Sequence, residues 1–190
     1  MEIYNIDYFE KNKIFFEEQA LNQKLFIYPT DTIYWIGAII TANTVEKIYK
    51  IKQRNLIKPL SIIAPNIKWI QQHFNVPADF PKILDKLLNK YHWITLVLPK
   101  KDKDFLPELG DIDKLGIRII KTNLQNFVDK LWQPFISTSV NISWKSSIKS
   151  IDELDETIAR QIDIFIDGGI LNNPPSVLID LDSEEINFRK

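Results

Sequence analysis

Short apolar runs of strand length alternate with segments of helical periodicity along this chain, and that alternation confines it to an α/β architecture. The runs are Leu25–Tyr28, closed by Pro29, then Trp35–Ile40, Leu60–Ala64, Trp93–Leu98, Gly116–Ile120, Phe135–Ser139, Ile164–Ile166 and Val177–Leu181. Between them, Asp7–Gln23 spaces Phe9, Phe15, Phe16, Ala20 and Leu21 among charged residues, as an amphipathic helix does. A second helix is expected to start at Asn43, which can cap free backbone N–H groups with Glu46 three residues on. Further helices are expected over Asp79–Lys90, Thr122–Trp132 and Ile151–Gln161. The strand-rich closing stretch is expected to pair antiparallel. No repeat, low-complexity tract or linker interrupts the pattern, so one domain over residues 1–190 is expected.

Composition removes several classes of chemistry. There is no cysteine and histidine occurs only as His73 and His92. Disulfides, thiolate metal sites and a cysteine nucleophile are excluded, and a histidine-rich zinc site is not supported. The net charge of −1 lacks the basic excess of a general nucleic-acid binder. Met1–Asn5 does not begin a basic stretch followed by an apolar run, and no apolar stretch approaches the roughly 20 residues that span a bilayer. A cytoplasmic protein is the expectation. Neither G-x-x-x-x-G-K-[ST] nor G-x-G-x-x-G is present.

Four segments concentrate groups suited to binding. Tyr28-Pro29-Thr30-Asp31-Thr32-Ile33-Tyr34 sets two hydroxyls and a carboxylate directly after a strand, where a loop can point them into a cleft or Asp31 can bond its own backbone. Lys52-Gln53-Arg54 and Lys58-Pro59 place cations at a helix end, suited either to a polyanionic ligand or to the helix dipole. Arg118 interrupts the apolar run Gly116–Ile120 and therefore needs an anion or an exposed edge. Ser137-Thr138-Ser139-Val140-Asn141-Ile142-Ser143 follows a strand with hydroxyls and an amide, fit for phosphate oxygens, a ribose or a plain turn.

Taken in this order, the segments resemble the YrdC family of threonylcarbamoyl-AMP synthases. That family carries P-T-D-T-x-Y, K-x-R, a basic residue before P-L, a P-G-P-x-T strand entry, an Arg strand, S-x-N and a late S-T-V-x-D. The counterparts here are Pro29–Thr32 with Tyr34, Lys52 with Arg54, Lys58-Pro59-Leu60, Thr95, Arg118, Ser139 with Asn141, and Ser176 with Asp180. The resemblance runs from about Leu25 to Arg189 and matches the short form of the family. It implies a twisted mixed parallel and antiparallel sheet with flanking helices around a deep cationic cavity. It also implies synthesis of threonylcarbamoyl-AMP and pyrophosphate from L-threonine, bicarbonate and ATP, with Mg²⁺ shielding the phosphates and no protein nucleophile. Thr32, Arg54 and Lys58 would then hold threonine, with Arg54 on its carboxylate. Lys52, Thr95, Arg118, Ser139, Asn141, Ser176 and Arg189 would contact ATP, and Lys52 and Arg54 would position the reactants. Proteins that transfer the threonylcarbamoyl group to tRNA are the implied partners.

Three tryptophans depart from the family pattern at small or tight-turn positions. Trp35 follows Tyr34 where glycine is usual, Tyr91-His92-Trp93 stands for P-G-P, and Trp144 replaces the glycine after Ser143. Val140 replaces an alanine, and Ser176-Val177 stands for Ser-Thr. Glycine at such places often supplies positive φ or a close backbone approach. Either the tryptophans pack harmlessly on the body, or one of them narrows the cavity, and Trp35 is the candidate to stack on adenine or to wall the threonine side. The rival readings are a paralogue with altered or lost activity and an RNA-binding or ribosome-assembly module. Threonine-dependent ATP turnover separates them from the synthase.

Overall fold

The computed structural model describes residues 1–54, 59–143 and 145–188. The chain opens with β1 (Glu2–Asn5), α1 (Ile6–Lys11) and α2 (Lys13–Leu21). The amphipathic stretch expected as one helix is thus broken at Asn12, whose side-chain amide donates to the Tyr8 carbonyl at 2.9 Å. Asparagine offers the backbone a local alternative to helical bonding, which stops α1 there. β2 (Phe26–Pro29) and β3 (Tyr34–Gly37) follow, then α3 (Ala42–Lys52). Thr41, not Asn43, caps α3: its hydroxyl accepts from the Thr44 N–H, and the Thr44 hydroxyl accepts from the Thr41 N–H. Asn43 instead donates to Gln23 Oε1 at 3.2 Å.

β4 (Ser61–Ile63) leads into α4 (Ile67–His73), a short helix without a clear periodic signal, and α5 (Phe80–Tyr91). β5 (Ile94–Pro99), β6 (Lys114–Ile119), α6 (Asn123–Leu131) and β7 (Phe135–Ser139) lie where their apolar runs predict, within a residue or two. The helix expected over Ile151–Gln161 is reduced to a single turn at Ile151–Glu153 and α7 (Glu156–Ala159), because the Asp155 carboxylate accepts from Thr157 N–H and restarts the chain. β8 (Ile164–Asp167), β9 (Val177–Asp180) and β10 (Ile186–Asn187) complete the order. No helix among the described residues is long and apolar enough to cross a membrane.

The strands form one mixed sheet of ten, in the order β1-β8-β2-β3-β7-β4-β6-β5-β9-β10. The closing stretch pairs mostly parallel rather than antiparallel: β8 runs parallel to β1 and β2, and β9 parallel to β5, while β10 alone turns back on β9. Long crossovers between these strands permit parallel pairing, whereas a tight hairpin such as β2–β3 forces the antiparallel sense.

Alternation of side chains gives the sheet two different faces. On one, Ile27, Ile36, Ile62, Leu96, Ile117 and Ile136 form a continuous apolar core with Ile48 of α3 and Leu84 of α5. On the other, an aromatic cluster at the β2–β3–β7 end packs under α1, α2 and α6, with ring centroids 5.5 Å apart for Phe9–Phe127 and 5.9 Å for Phe127–Phe135. Close approach fixes Gly37 there, since a Cβ would lie 2.3 Å from the Ile136 carbonyl oxygen. Beyond that cluster the same face turns polar and small, through Ser137, Ser61, Gly116 and Thr95, and that change prepares the site.

Candidate functional site

Register places the polar residues side by side. Trp35 pairs with Ser139 across β3–β7, Ser61 with Ser137 across β4–β7, and Thr95 with Arg118 across β5–β6. Directly paired residues share a face, so these side chains lie on the surface opposite the main apolar core. Trp35 and Arg118 arise from strands separated by β7 and β4. They meet above the small side chains of Ser137 and Ser61, with the Arg118 guanidinium 5.9 Å from the indole centroid. Gly116 keeps that floor low, because a Cβ would come within 2.6 Å of Ser61 Oγ.

The indole also forms part of the wall of a cavity of about 470 Å³, lined in part by Ile33, Trp35, Ser139, Asn141, Lys145 and Asn173. Ser139 and Asn141 at its edge are half-buried and bonded to each other, Ser139 Oγ donating to Asn141 Oδ1 at 2.7 Å. The Lys52 ammonium stands behind them. It donates to Asn141 Oδ1 at 2.7 Å and also to the carbonyls of Ser139 and Asn141. The local fold explains how K-x-R delivers it: α3 ends at Lys52, and Gln53 takes a left-handed conformation (φ 47°) that turns the chain. The Lys52 carbonyl left over at the helix end accepts from Ser143 N–H at 2.9 Å, tying α3 to the Ser139–Ser143 loop. Burial, and then the neighbouring charge of Arg54, bring Lys52 down from the usual lysine range to about 7.

Arg118 is fully buried and forms an ion pair with Asp31, while its Nη1 donates to the Ile94 carbonyl at 2.9 Å and also to that of Ile119. The anion that an internal arginine requires is therefore supplied from within the chain, by the loop between β2 and β3. Burial pushes the Asp31 carboxyl up, and Arg118 opposes the shift. Thr30 braces the loop, its hydroxyl donating to the Ile33 carbonyl at 2.8 Å and sharing a 3.0 Å bond with Thr32. Thr95 and Ser176, both fully buried, bond to each other at 2.8 Å.

The structure thus gathers Lys52, Ser139 and Asn141 at the cavity, and it sets Arg118, Thr95, Ser176 and Thr32 inside the protein. Arg54 lies on the wall of a different cavity beside α3, where its Nη2 donates to the Pro59 carbonyl at 3.0 Å. Lys58, Arg189 and Trp144 fall outside the described residues. The cavity itself carries Lys145 and Lys149 on its described wall rather than the cations expected to line it. Sequence reasoning passed over Lys145 and Asn173, and named Arg118 and Asp31 without pairing them; the local signal for the first two was the polar run Lys145-Ser146-Ser147 and the turn formers Asn172-Asn173-Pro174-Pro175.

Two departures from the family pattern resolve differently. Trp35 sits in a strand without positive φ, so its position demands space rather than glycine's backbone freedom. His92 does adopt positive φ (59°), in a tight turn where Trp93 N–H donates to the Tyr91 carbonyl at 2.6 Å. There a histidine holds the conformation that glycine would take freely.

Comparison with known proteins identifies the family and the fold. A Methanocaldococcus jannaschii protein, provisionally named threonylcarbamoyl-AMP synthase, is 33% identical over 190 residues, covering 98% of this chain and 89% of its own length. The threonylcarbamoyl-AMP synthase of Pseudoalteromonas translucida is 27% identical over 165 residues, covering 83% of this chain and 86% of that protein. Among solved structures, E. coli YciO matches the fold with a TM-score of 0.82 at 19% identity, over 100% of this chain and 95% of that one. P. abyssi Sua5 in complex with L-threonine matches with a TM-score of 0.77 at 25% identity, over 98% of this chain; this chain spans 56% of that longer protein. The Sua5/YciO/YrdC family model, described as telomere recombination, matches residues 19–189, and the chain belongs to that family.

Proposed function

We propose that this chain is a threonylcarbamoyl-AMP synthase, forming threonylcarbamoyl-AMP and pyrophosphate from L-threonine, bicarbonate and ATP for modification of tRNA in the cytoplasm. The observation that carries the reading is the Lys52–Ser139–Asn141 cluster at the edge of the cavity, built from two motifs 87 residues apart. The relatives named for this activity, and the P. abyssi protein solved with L-threonine, support it.

In this reading the threonine amine and bicarbonate form a carbamate with loss of water. A carbamate oxygen then displaces pyrophosphate from the α-phosphorus of ATP. No side chain is consumed, so the protein contributes orientation and charge. Ser139 and Asn141 offer hydroxyl and amide groups to the nucleotide. Lys52 fixes both and regains its full charge when a polyanion arrives. Arg54, which the family resemblance alone assigns to the threonine carboxylate, stands just past the turn at Gln53 on the wall of the cavity beside α3. Among the described residues no group of three or more acidic or histidine side chains could hold a metal. Mg²⁺ in this proposal enters with ATP, held by oxygens of its phosphates. Proteins that pass the threonylcarbamoyl group to tRNA belong to the same proposal.

The test is incubation with ATP, Mg²⁺, L-threonine and labelled bicarbonate, following threonylcarbamoyl-AMP and pyrophosphate. Threonine-dependent product that is lost in Arg54→Ala supports the reading. A folded protein that binds ATP and makes no product overturns it.

A further inference from the structure

The indole of Trp35 touches both parts of the polar face of the sheet. It walls the cavity beside Ser139 and Asn141, and it lies over Arg118, which like Thr95 and Ser176 is fully buried. Trp35 is itself only 2% exposed, yet it forms part of the cavity wall. Its Nε1–H is buried without an acceptor, and so is the Nε–H of Arg118 under the same ring. Native interiors leave such donors unpaired only rarely. Of the two, only Trp35 belongs to the cavity wall, so its orphan N–H marks the place where a ligand oxygen completes the bonding.

The wall beside it is mixed in character. Ile33 and the face of Trp35 are apolar, while Ser139 and Asn141 are polar. Trp35 follows Thr32 by three residues on the hairpin connection and stands directly opposite Ser139. A small ligand with a short apolar branch and an anionic oxygen matches this corner better than a flat purine, which would need an open ring face. We propose that Trp35 is the specificity-determining wall of the amino-acid subsite. It limits the amino acid's side chain to about the size of threonine, and its N–H serves the carboxylate end. This inference rests on the synthase reading for its choice of substrate class.

The geometry separates two effects of the indole. Trp35→Val removes the wall and opens the cavity toward Arg118. Trp35→Phe keeps a ring of similar reach and removes the N–H alone. Pyrophosphate release is measured with L-threonine and with L-leucine for wild type and both variants. Trp35→Val is expected to raise the leucine-to-threonine ratio of kcat/KM about tenfold, the discrimination that one or two methylene groups carry in a closed pocket. Trp35→Phe is expected to raise KM for both amino acids and leave the ratio unchanged; an unaltered KM for both overturns the role given to the N–H. An unchanged ratio in Trp35→Val overturns the proposal. If that variant fails to fold, Trp35→Leu, a smaller opening, is judged on the same ratio. Should wild type release no pyrophosphate with threonine, the synthase reading falls on its own. The wall is then judged by calorimetric binding of the two amino acids: a shift toward leucine in Trp35→Val upholds it, and an unchanged ratio or no binding to either protein overturns it.

Discussion

Two ends of one sheet face carry the same kinds of residue and use them differently. At the Ser139–Asn141 end, hydroxyl, amide and ammonium groups bond to one another beside open space. At the Arg118 end, a guanidinium that lies against an indole is paired with a carboxylate, and two buried hydroxyls are paired with each other. Both ends match motifs of the same family. The difference teaches that a motif fixes which groups are present, while packing decides whether they serve a ligand or the fold.

The largest expected effect would break this comparison outright. If the Arg118 end is structural, Asp31→Asn should cost about 3–5 kcal/mol of unfolding free energy, because it leaves a buried guanidinium without its anion. Denaturant unfolding reads this directly, and a loss below about 1 kcal/mol would mean that Arg118 is not held by Asp31. Lys52→Met should act in the opposite way at the other end. Removing that donor is expected to lower kcat/KM for ATP roughly 100-fold, with the far-ultraviolet dichroism of the folded chain retained. In the unaltered protein kcat/KM should fall as pH rises through about 7, where free Lys52 loses its charge. An unfolded lysine holds its proton to about 10.4, so between these values the unfolded chain binds more protons and stability should rise with pH. Lys52→Met should flatten both dependences, and a profile unaltered in that variant would assign the ionisation elsewhere.

A smaller effect sharpens the contrast within the sealed end. Thr95→Val alone should destabilise by about 1–3 kcal/mol by stranding the Ser176 hydroxyl, and adding Ser176→Ala should restore most of that loss. Additive losses in the double variant would show that the pair bonds to something other than each other. The smallest effect concerns the turn into β5. His92→Gly should stabilise the protein by about 1 kcal/mol, since it relieves a side chain held at positive φ. A thermal melt that moves down instead would give the His92 ring a role that the backbone does not explain.

Much of the fold was legible in the chain, and for identifiable reasons. β2, β5, β6 and β7 are apolar runs bounded by breakers, and α5 and α6 are long enough for their periodicity to be unambiguous. β1 was missed because its four residues, Glu2–Asn5, mix polar and apolar side chains instead of forming an apolar run, and α4 and β10 because seven and two residues carry too little pattern. The cap at Thr41 and the break at Asn12 went unread because several residues nearby could have done the same work, and only the neighbours met after folding select among them.

The candidate site divides along the same line. By itself the sequence determined the strand–helix alternation, the absence of cysteine chemistry, and the ordered motifs that join Lys52, Ser139 and Asn141 to one family, because these depend on residue identity and local spacing. Only the tertiary structure decided that Asp31 pairs with Arg118, that Thr95 pairs with Ser176, and that Trp35 both covers Arg118 and walls the cavity. Those outcomes depend on strand order and register, which bring together residues 87, 81 and 83 positions apart, and no local spacing encodes such meetings.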